Sequence, residues 1–487
     1  MFHFHQQKRS WWPYLALVIL LLWLGAAIYL YHWWQQNGIG GVFQSAEEEI
    51  EQELGVETDM FLELTPHILG FRRPQTILVL FQNNTELRPG GGFIGSYAVV
   101  RIDRGKVRVI KTEGSENLDW QAPEDWRVEP PAPLKEKLGV DRWYFRDSNW
   151  SPDWTESARR ALEFYQAEGG VGGNEITMVV ALTPTVLEEL LRLTGPVTVD
   201  GISFGADNVT EELEYEVEVG YRERNIPKAE RKALIGRLMQ AVFARASAVA
   251  FTNLTKHIEV VNLLVDEKQI LAYATDAEAQ SLIDKHGLAG RVEDVPGDYL
   301  MWVDANLGAL KTDHAIKREM RYEIREMVGK ASMMYTHQGG FDWRTTRYRT
   351  YTRIFVPLGA EITAVIITGK SGKVLASEEV DQGQELGKQW FGAFITVEPG
   401  EMVEAQFIYR LPSTISDHIK NGSYTLFVQK QLGTIAHGLT LDLDFDTPIT
   451  AATPGEEERE WGDAKYRVTS DLREDREFAV SLKHTNI

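Results

Sequence analysis

The 487 residues include no cysteine, which excludes disulfides, thiol catalysis and cysteine-ligated metal and leaves the compartment open on redox grounds. Basic residues are also in deficit, and the formal net charge is -20. A nucleic-acid binder needs a basic footprint, so this balance argues against nucleic acid and suits a solvated face outside a membrane. GxxxxGK[ST] does not occur at the glycine-rich stretch, so no phosphate-loop nucleotide site follows from it. What is present is a 43% hydrophobic, 10% aromatic chain able to bury a substantial core in two or three domains.

From Trp11 to Trp34 no residue carries a formal charge, and aromatic residues flank an aliphatic middle. This pattern predicts a transmembrane helix over 11–34, a single span with an aromatic belt at each interface. Lys8 and Arg9 precede it and Glu47, Glu48 and Glu49 follow it, which places residues 1–10 in the cytoplasm and the body outside the cell membrane. A cleaved signal peptide is the alternative, although no small-x-small site closes the segment. Residues 35–70 read as an acidic stalk.

The body is organised around Gln82–Ser96, QNNTELRPGGGFIGS, which follows the apolar run Thr76–Phe81. A buried strand opening into Gly90, Gly91 and Gly92 exposes backbone N–H groups at its carboxyl end, where open α/β sheets bind ligands. Gln82, Asn84, Glu86 and Arg88 form a polar cluster too dense for a core, and a wide hairpin is the plainer reading of the same stretch. A second cluster is Arg146-Asp147-Ser148-Asn149-Trp150-Ser151-Pro152-Asp153. Ser151 as N-cap and Pro152 at the first helical position predict a helix whose N-terminus attracts anions, with Arg146 beside it. Asp147 and Asp153 either hold a divalent cation such as Mg²⁺ or orient the arginine. Asn149 and Trp150 complete that wall. After a strand at 299–303, Lys311 is a candidate phosphate contact and Asp313 a candidate acid or metal ligand; a plain connecting loop reads equally well. The run 228–237, with Lys228, Arg231, Lys232 and Arg237, reads as the solvated side of a helix.

Strand, Thr183-Pro184, helix and strand in succession read as a β-α-β unit of a helix-covered sheet over 71–339. Beyond Asp342 short alternating runs separated by turns predict an antiparallel β-sandwich over 340–487, with an acidic segment near Gly455.

QNNTELRPGGGFIGS, RDSNWSPDW ahead of a helix, a strand and Thr-Pro helix ending in TGPV, NLGALKTD, RYRTYTRIFVPLGAEI and a late QKQLG occur in that order. This resembles the bacterial envelope family known as domain of unknown function four thousand and twelve, over nearly all of the chain after Gln75. The core is more distantly similar to the LytR-CpsA-Psr family, anchored extracytoplasmic enzymes that move glycopolymers from polyprenyl-pyrophosphate carriers onto peptidoglycan. That similarity implies an α/β/α sheet domain in which Arg88, Arg146 and Asp147 stand where the family binds pyrophosphate and magnesium. The family's paired Arg-Asp signature is absent after the first strand.

Two functions follow as expectations. In the first, a phosphotransferase-like protein of envelope polysaccharide assembly binds a polyprenyl-pyrophosphate glycan. Gly90, Gly91, Gly92, Arg88, Arg146, Ser151 and Lys311 hold the pyrophosphate, and Glu86 or Asp147 is the base. In the second, a non-enzymatic surface protein binds cell-wall polysaccharide or assists its export, with tryptophans stacking on sugars.

Overall fold

Gln75–Asn83 (β1), QTILVLFQN, is apolar through its middle and buried along most of its length, so it must lie inside a sheet covered on both faces. The computed structural model describes residues 59–249, 254–308, 310–370 and 372–483, and places β1 at the centre of a five-stranded sheet. Phe93–Asp103 (β2) pairs antiparallel with β1, and Lys106–Gly114 (β3) with β2. On the other side Met178–Leu182 (β4) runs parallel to β1. A small hairpin, Val197–Val199 (β5) and Ile202–Phe204 (β6), turns through Asp200 and Gly201, both at positive φ as the Asp-Gly hairpin turn demands. Ile270–Ala274 (β7) closes the five-stranded sheet antiparallel to β4.

One face of this sheet, through Ile77, Val79, Val100 and Met178, packs on Asp59–Ile68 (α1) and on five helices that follow β4. The opposite face, through Leu78, Leu80, Tyr97 and Val179, meets an aromatic layer of Trp143, Phe145, Trp154, Phe164 and Tyr165. Ser115–Asp119 (α2), Ala132–Leu138 (α3) and Trp154–Ala167 (α4) lie between β3 and β4. Pro184–Thr194 (α5) begins with proline at its first turn, Val209–Tyr215 (α6) passes into a π turn over Glu216–Gly220, and Ala233–Val249 (α7), Leu254–Asp266 (α8) and Ala277–Lys285 (α9) follow. α1 buries Met60, Phe61 and Leu64, so the end of the expected stalk belongs to the domain.

The second domain is a sandwich of two seven-stranded sheets. In chain order its strands are Asp298–Asn306 (β8), Ile316–Arg325 (β9), Val328–His337 (β10), Tyr348–Pro357 (β11), Glu361–Ile367 (β12), Lys373–Ala376 (β13) and Asp381–Glu385 (β14). Lys388–Val397 (β15), Met402–Arg410 (β16), Ser423–Gln429 (β17), Gly438–Asp444 (β18), Ile449–Thr453 (β19), Lys465–Asp471 (β20) and Arg476–Leu482 (β21) complete it. β9 alternates buried and exposed along its whole length, the period-two pattern of a strand with one face on the core.

The expected fold is corrected in three respects. Among the described residues no helix is long and apolar enough to cross a membrane, so the transmembrane, single-pass element has no counterpart in this fold; the run 11–34 itself lies outside the described residues. The longest helix, α7, has 17 residues and spends its apolar side on the sheet. The β-α-β unit expected around Thr183-Pro184 does not form within the first sheet: β4 leads through Pro184–Thr194 into β5, which pairs with β6 in a separate two-stranded sheet, and β1 and β4 are the one parallel pair among the described strands of the five-stranded sheet. The sandwich is neither wholly antiparallel nor confined to 340–487. β8 runs parallel to β17 and β9 parallel to β18, and β8, β9 and β10 are interior strands that precede residue 340. Strands this far apart in sequence pair through burial of matching faces, which alternation within each strand does not encode.

Candidate functional site

Beyond β1 the chain turns through Glu86–Gly92 into the seam between the two domains. Arg88 is buried there and most of its guanidinium donors are taken by protein partners. Nε donates to Asp147 Oδ1 (2.9 Å), Nη1 to the carbonyls of Leu87 (3.1 Å) and Asn306 (2.7 Å), and Nη2 to Glu86 Oε1 (3.3 Å). Its planar group also lies 5.1 Å from the Phe93 ring centroid. Arg88 therefore ties β8 of the sandwich to the first domain, and little of its donor capacity is left for a phosphate.

The three glycines are packed rather than open. Gly90 N donates to Asn149 O (3.0 Å), Gly91 N to Arg88 O (3.0 Å), and Gly92 O accepts from Asn149 Nδ2 (2.7 Å). Gly91 holds φ +122°, and a Cβ at Gly92 would stand 2.5 Å from the Asn83 backbone. Asn84 bridges Thr185 Oγ1 (3.2 Å) and Gly433 O (3.1 Å), the latter from the sandwich.

Asp153, not Ser151, caps α4: Oδ1 accepts from Glu156 N (3.1 Å) and Oδ2 from Val292 N (3.0 Å). The anion site expected at that helix start is filled by the protein's own carboxylate. Ser151 Oγ instead accepts from the Asp153 amide (3.2 Å). Trp150 stacks on Tyr351 at 6.3 Å, with Arg353 5.7 Å from its ring centroid. Asp313 is likewise committed. Its Oδ2 accepts from Leu87 N (3.0 Å) and Asn306 Nδ2 (2.8 Å), its Oδ1 from Arg318 Nη2 (2.5 Å) and Tyr348 OH (2.8 Å). Among the described residues no group of three or more His, Asp or Glu is placed to hold a metal ion. The Mg²⁺ ligands expected at Asp147 and Asp153 do not fit one, since the first is paired with Arg88 and the second with two amides.

The open space lies beside this seam, at the carboxyl end of β1, as two lobes of one cleft. The narrower lobe, about 370 Å³, has walls of Phe81, Leu182, Val186, Leu187, Ile235 and Met239. Gln82 lines it with its side chain buried and neither amide atom hydrogen-bonded. Charged residues gather at its mouth: Glu116 pairs with Lys232 (2.5 Å) and Arg231 (3.2 Å), and Glu218 with Arg231 (2.8 Å) and Lys311 (3.2 Å). Burial alone would raise the Glu218 carboxyl, but Lys311 and Arg231 outweigh it and hold the group below its ordinary range. Burial lowers the Lys232 ammonium against the opposing pull of Glu116.

The wider lobe, about 650 Å³, adjoins the first, and Glu86, Phe93, Arg146, Glu218 and Lys311 line both. At this waist burial raises the Glu86 carboxyl, with the Arg88 charge opposing. Arg146 stands 2.5 Å through Nε from Asp119 Oδ2, and its terminal nitrogens make no hydrogen bond to described residues. Behind that pair Asp119 and Glu168 are both buried. Burial pushes Glu168 up to about 8, with the Asp119 charge adding to it, and Asp119 up to about 6 against the pull of Arg146.

Of the residues singled out by sequence, Gln82, Glu86, Arg146 and Lys311 reach the cleft wall, while Arg88 and Asp147 reach the wider lobe as members of a buried ion pair. Gly90, Gly91, Gly92, Asn84, Asn149, Trp150, Ser151, Asp153 and Asp313 build the surrounding seam. The residues sequence reasoning left out are Glu116, Glu214, Glu218, Trp343 and Arg344, together with the 228–232 basic cluster, which folds over the cleft mouth. That cluster was the one visible signal, and its helical setting favours the solvent-facing reading until the tertiary packing is known.

The fold and cleft define a two-domain protein with a ligand-sized pocket beside a buried interdomain seam. Residues 72–217 match the model of the family described as protein of unknown function, DUF4012, and the chain carries that domain. No curated protein matches the sequence. Among solved structures, a Legionella pneumophila protein described as nutrient-binding is 8% identical, covering 38% of this chain and 71% of its own, at a TM-score of 0.25. A CBM3a-L domain from a Clostridium thermocellum cellulosome scaffoldin is 15% identical over 20% of this chain and 69% of its own, at 0.13. An M1 zinc metallopeptidase from Deinococcus radiodurans is 11% identical over 36% of this chain and 43% of its own, at 0.15. Likenesses this slight carry no argument about activity.

Proposed function

We propose that the cleft binds an amphipathic, phosphate-bearing lipid of the cell envelope and that the protein serves envelope polysaccharide assembly as a binding component. The apolar part of the ligand occupies the narrow lobe and its phosphate sits at the waist. The observation that carries this reading is the narrow lobe itself: apolar walls around about 370 Å³, within the range of small-molecule pockets, ending at cations that retain free donors. Arg146 offers its two terminal nitrogens, and Lys311 spends one donor on Glu218.

The transferase reading keeps one observation in its favour, the raised Glu86 carboxyl, which is a better base near neutral pH than an ordinary glutamate. Asp147, the other base candidate, is held by Arg88. Binding therefore stands ahead of transfer.

The test is calorimetry on the full chain in detergent with farnesyl phosphate as probe. Arg146→Ala should weaken binding by roughly 10-fold to 100-fold, the range of a lost charge-assisted hydrogen bond, and Leu187→Arg should abolish it. Unchanged affinity in Arg146→Ala, with the variant melting like the parent, would remove this assignment. Transfer of a labelled glycan by the parent, lost in Glu86→Gln, would put the transferase reading first.

A further inference from the structure

The wider lobe is larger than a phosphate needs and has a different chemistry from the lipid wall. Its outer part is formed by Arg142, Tyr144, Leu310, Trp343 and Arg344. A sugar ring presents hydroxyls around its edge and an apolar C–H face, so a saccharide site needs an aromatic plate beside planar hydrogen-bonding groups, all held in place beforehand.

Each requirement has a counterpart here. Trp343 is 37% exposed at the rim, and its ring is steadied by Tyr215 in an edge contact at 5.4 Å. The exposed part of the indole gives the rim of this lobe an aromatic surface among its charged groups. Leu310, which lines the same lobe, is exposed as well, and its segment is joined to that of Trp343 by the Leu310–Thr345 bridge.

The loop carrying Trp343 is ordered by its own hydrogen bonds. Asp342 Oδ1 accepts from the amides of Arg344 and Thr345, both at 2.7 Å, and Asp342 N donates to Thr345 O (3.0 Å). Arg344 is buried and fixed by Glu214 at 2.6 Å. Arg142 supplies an independent sign of a missing partner. It is 9% exposed, its Nη2 donates to Pro123 O (2.7 Å), and its Nε is buried with no hydrogen bond. Its Nη1, which is not buried and makes no hydrogen bond to described residues, is the donor left for a ligand oxygen.

We infer that the wider lobe is a saccharide subsite, in which Trp343 stacks on a sugar face while Arg142 and Arg344 bond its hydroxyl or carboxylate oxygens. With the lipid phosphate at the waist, the complete ligand is then a lipid-linked saccharide lying across both lobes. That last step rests on the proposed lipid site; the saccharide subsite stands on the wider lobe alone.

Soluble sugars test it without any lipid. Tetrasaccharides of N-acetylglucosamine and of galacturonic acid are titrated against the full chain in detergent, with the heat of binding as readout. At least one should saturate at millimolar concentration. Trp343→Ala should weaken that binding by about 10-fold or more, Trp343→Phe should retain most of it, and both variants should bind farnesyl phosphate as the parent does. The uronic probe binding alone assigns the guanidinium groups to a carboxylate, and the neutral probe binding assigns them to hydroxyls. Failure of both sugars to saturate, or binding indifferent to Trp343→Ala, overturns the subsite. If farnesyl phosphate binds while both sugars fail, this inference falls and the lipid reading stays. If sugars bind and farnesyl phosphate does not, the reverse holds.

Discussion

Ionisable side chains in the first domain are buried in groups whose members depend on one another. Arg88 neutralises Asp147 and Glu86 within the seam, so removing it would strand carboxylates and two carbonyls in a dry region rather than simply delete a ligand contact. Glu168 is the opposite case, a carboxyl held against ionisation by burial and by Asp119, with Oε1 accepting from Phe145 N at 2.9 Å. Because its folded pKa, about 8, lies above the ordinary glutamate value, its contribution to stability is complete below the ordinary carboxylate range and is lost as pH rises through about 8. Glutamine reproduces the neutral form. Thermal melts of Glu168→Gln should match the parent near about pH 5 and exceed it near about pH 9 by on the order of 1–3 kcal/mol. Parallel curves at all pH values would show that Glu168 ionises in the folded protein as easily as in the unfolded chain.

At the scale of elements, the turn after β1 decides how closely two domains approach. Gly91 adopts a backbone conformation that L side chains rarely reach, and a Cβ on it would collide with the Gln82 side chain. Gly92 meets the backbone of Asn83, which cannot swing aside, and a Cβ at Gly433 of the sandwich would press on Gly91 O at 2.7 Å. Gly92→Ala should therefore destabilise the chain by about 2 kcal/mol or more, seen as a lower denaturant midpoint with unchanged slope. A midpoint equal to the parent's would mean that the turn has room to move. The same logic explains the cap of α4: Asp153 reaches both Glu156 N and Val292 N, which a serine two residues earlier does not. Ser-Pro is a sound local start signal, and here a carboxylate with a second, distant donor takes the cap instead.

Across the whole molecule, the two domains share structure. Ala305, Leu307, Tyr351 and Leu432 of the sandwich side enter the aromatic core behind the first sheet, and Arg344 of the sandwich side pairs with Glu214 of the first domain. Within the sandwich, β8 lies between β11 and β17, while β9 and β10 separate β16 from β18. A fragment of residues 340–483 thus loses interior strands from both sheets. It should show no cooperative thermal transition by circular dichroism, whereas residues 296–483 should recover β-sheet signal. Cooperative melting of the shorter fragment would contradict this strand order. Much of the local structure is readable from sequence because it is set by short-range sterics and periodicity. The β2–β3 hairpin turns at Arg104 and Gly105, both at positive φ, β4 leads through Thr183-Pro184 into α5, and the DUF4012 match covers residues 72–217. Tertiary structure alone decided which polar residues are free. Arg88, Asp147, Asp153 and Asp313 look like ligand-binding groups in a linear reading, yet partners up to hundreds of residues away consume their hydrogen-bonding capacity. The 228–232 basic cluster and Trp343 look like ordinary surface until packing brings them to one cleft. Local pattern specifies what each segment can become, whereas the satisfaction of a buried charge depends on which distant donors the closed fold delivers to it.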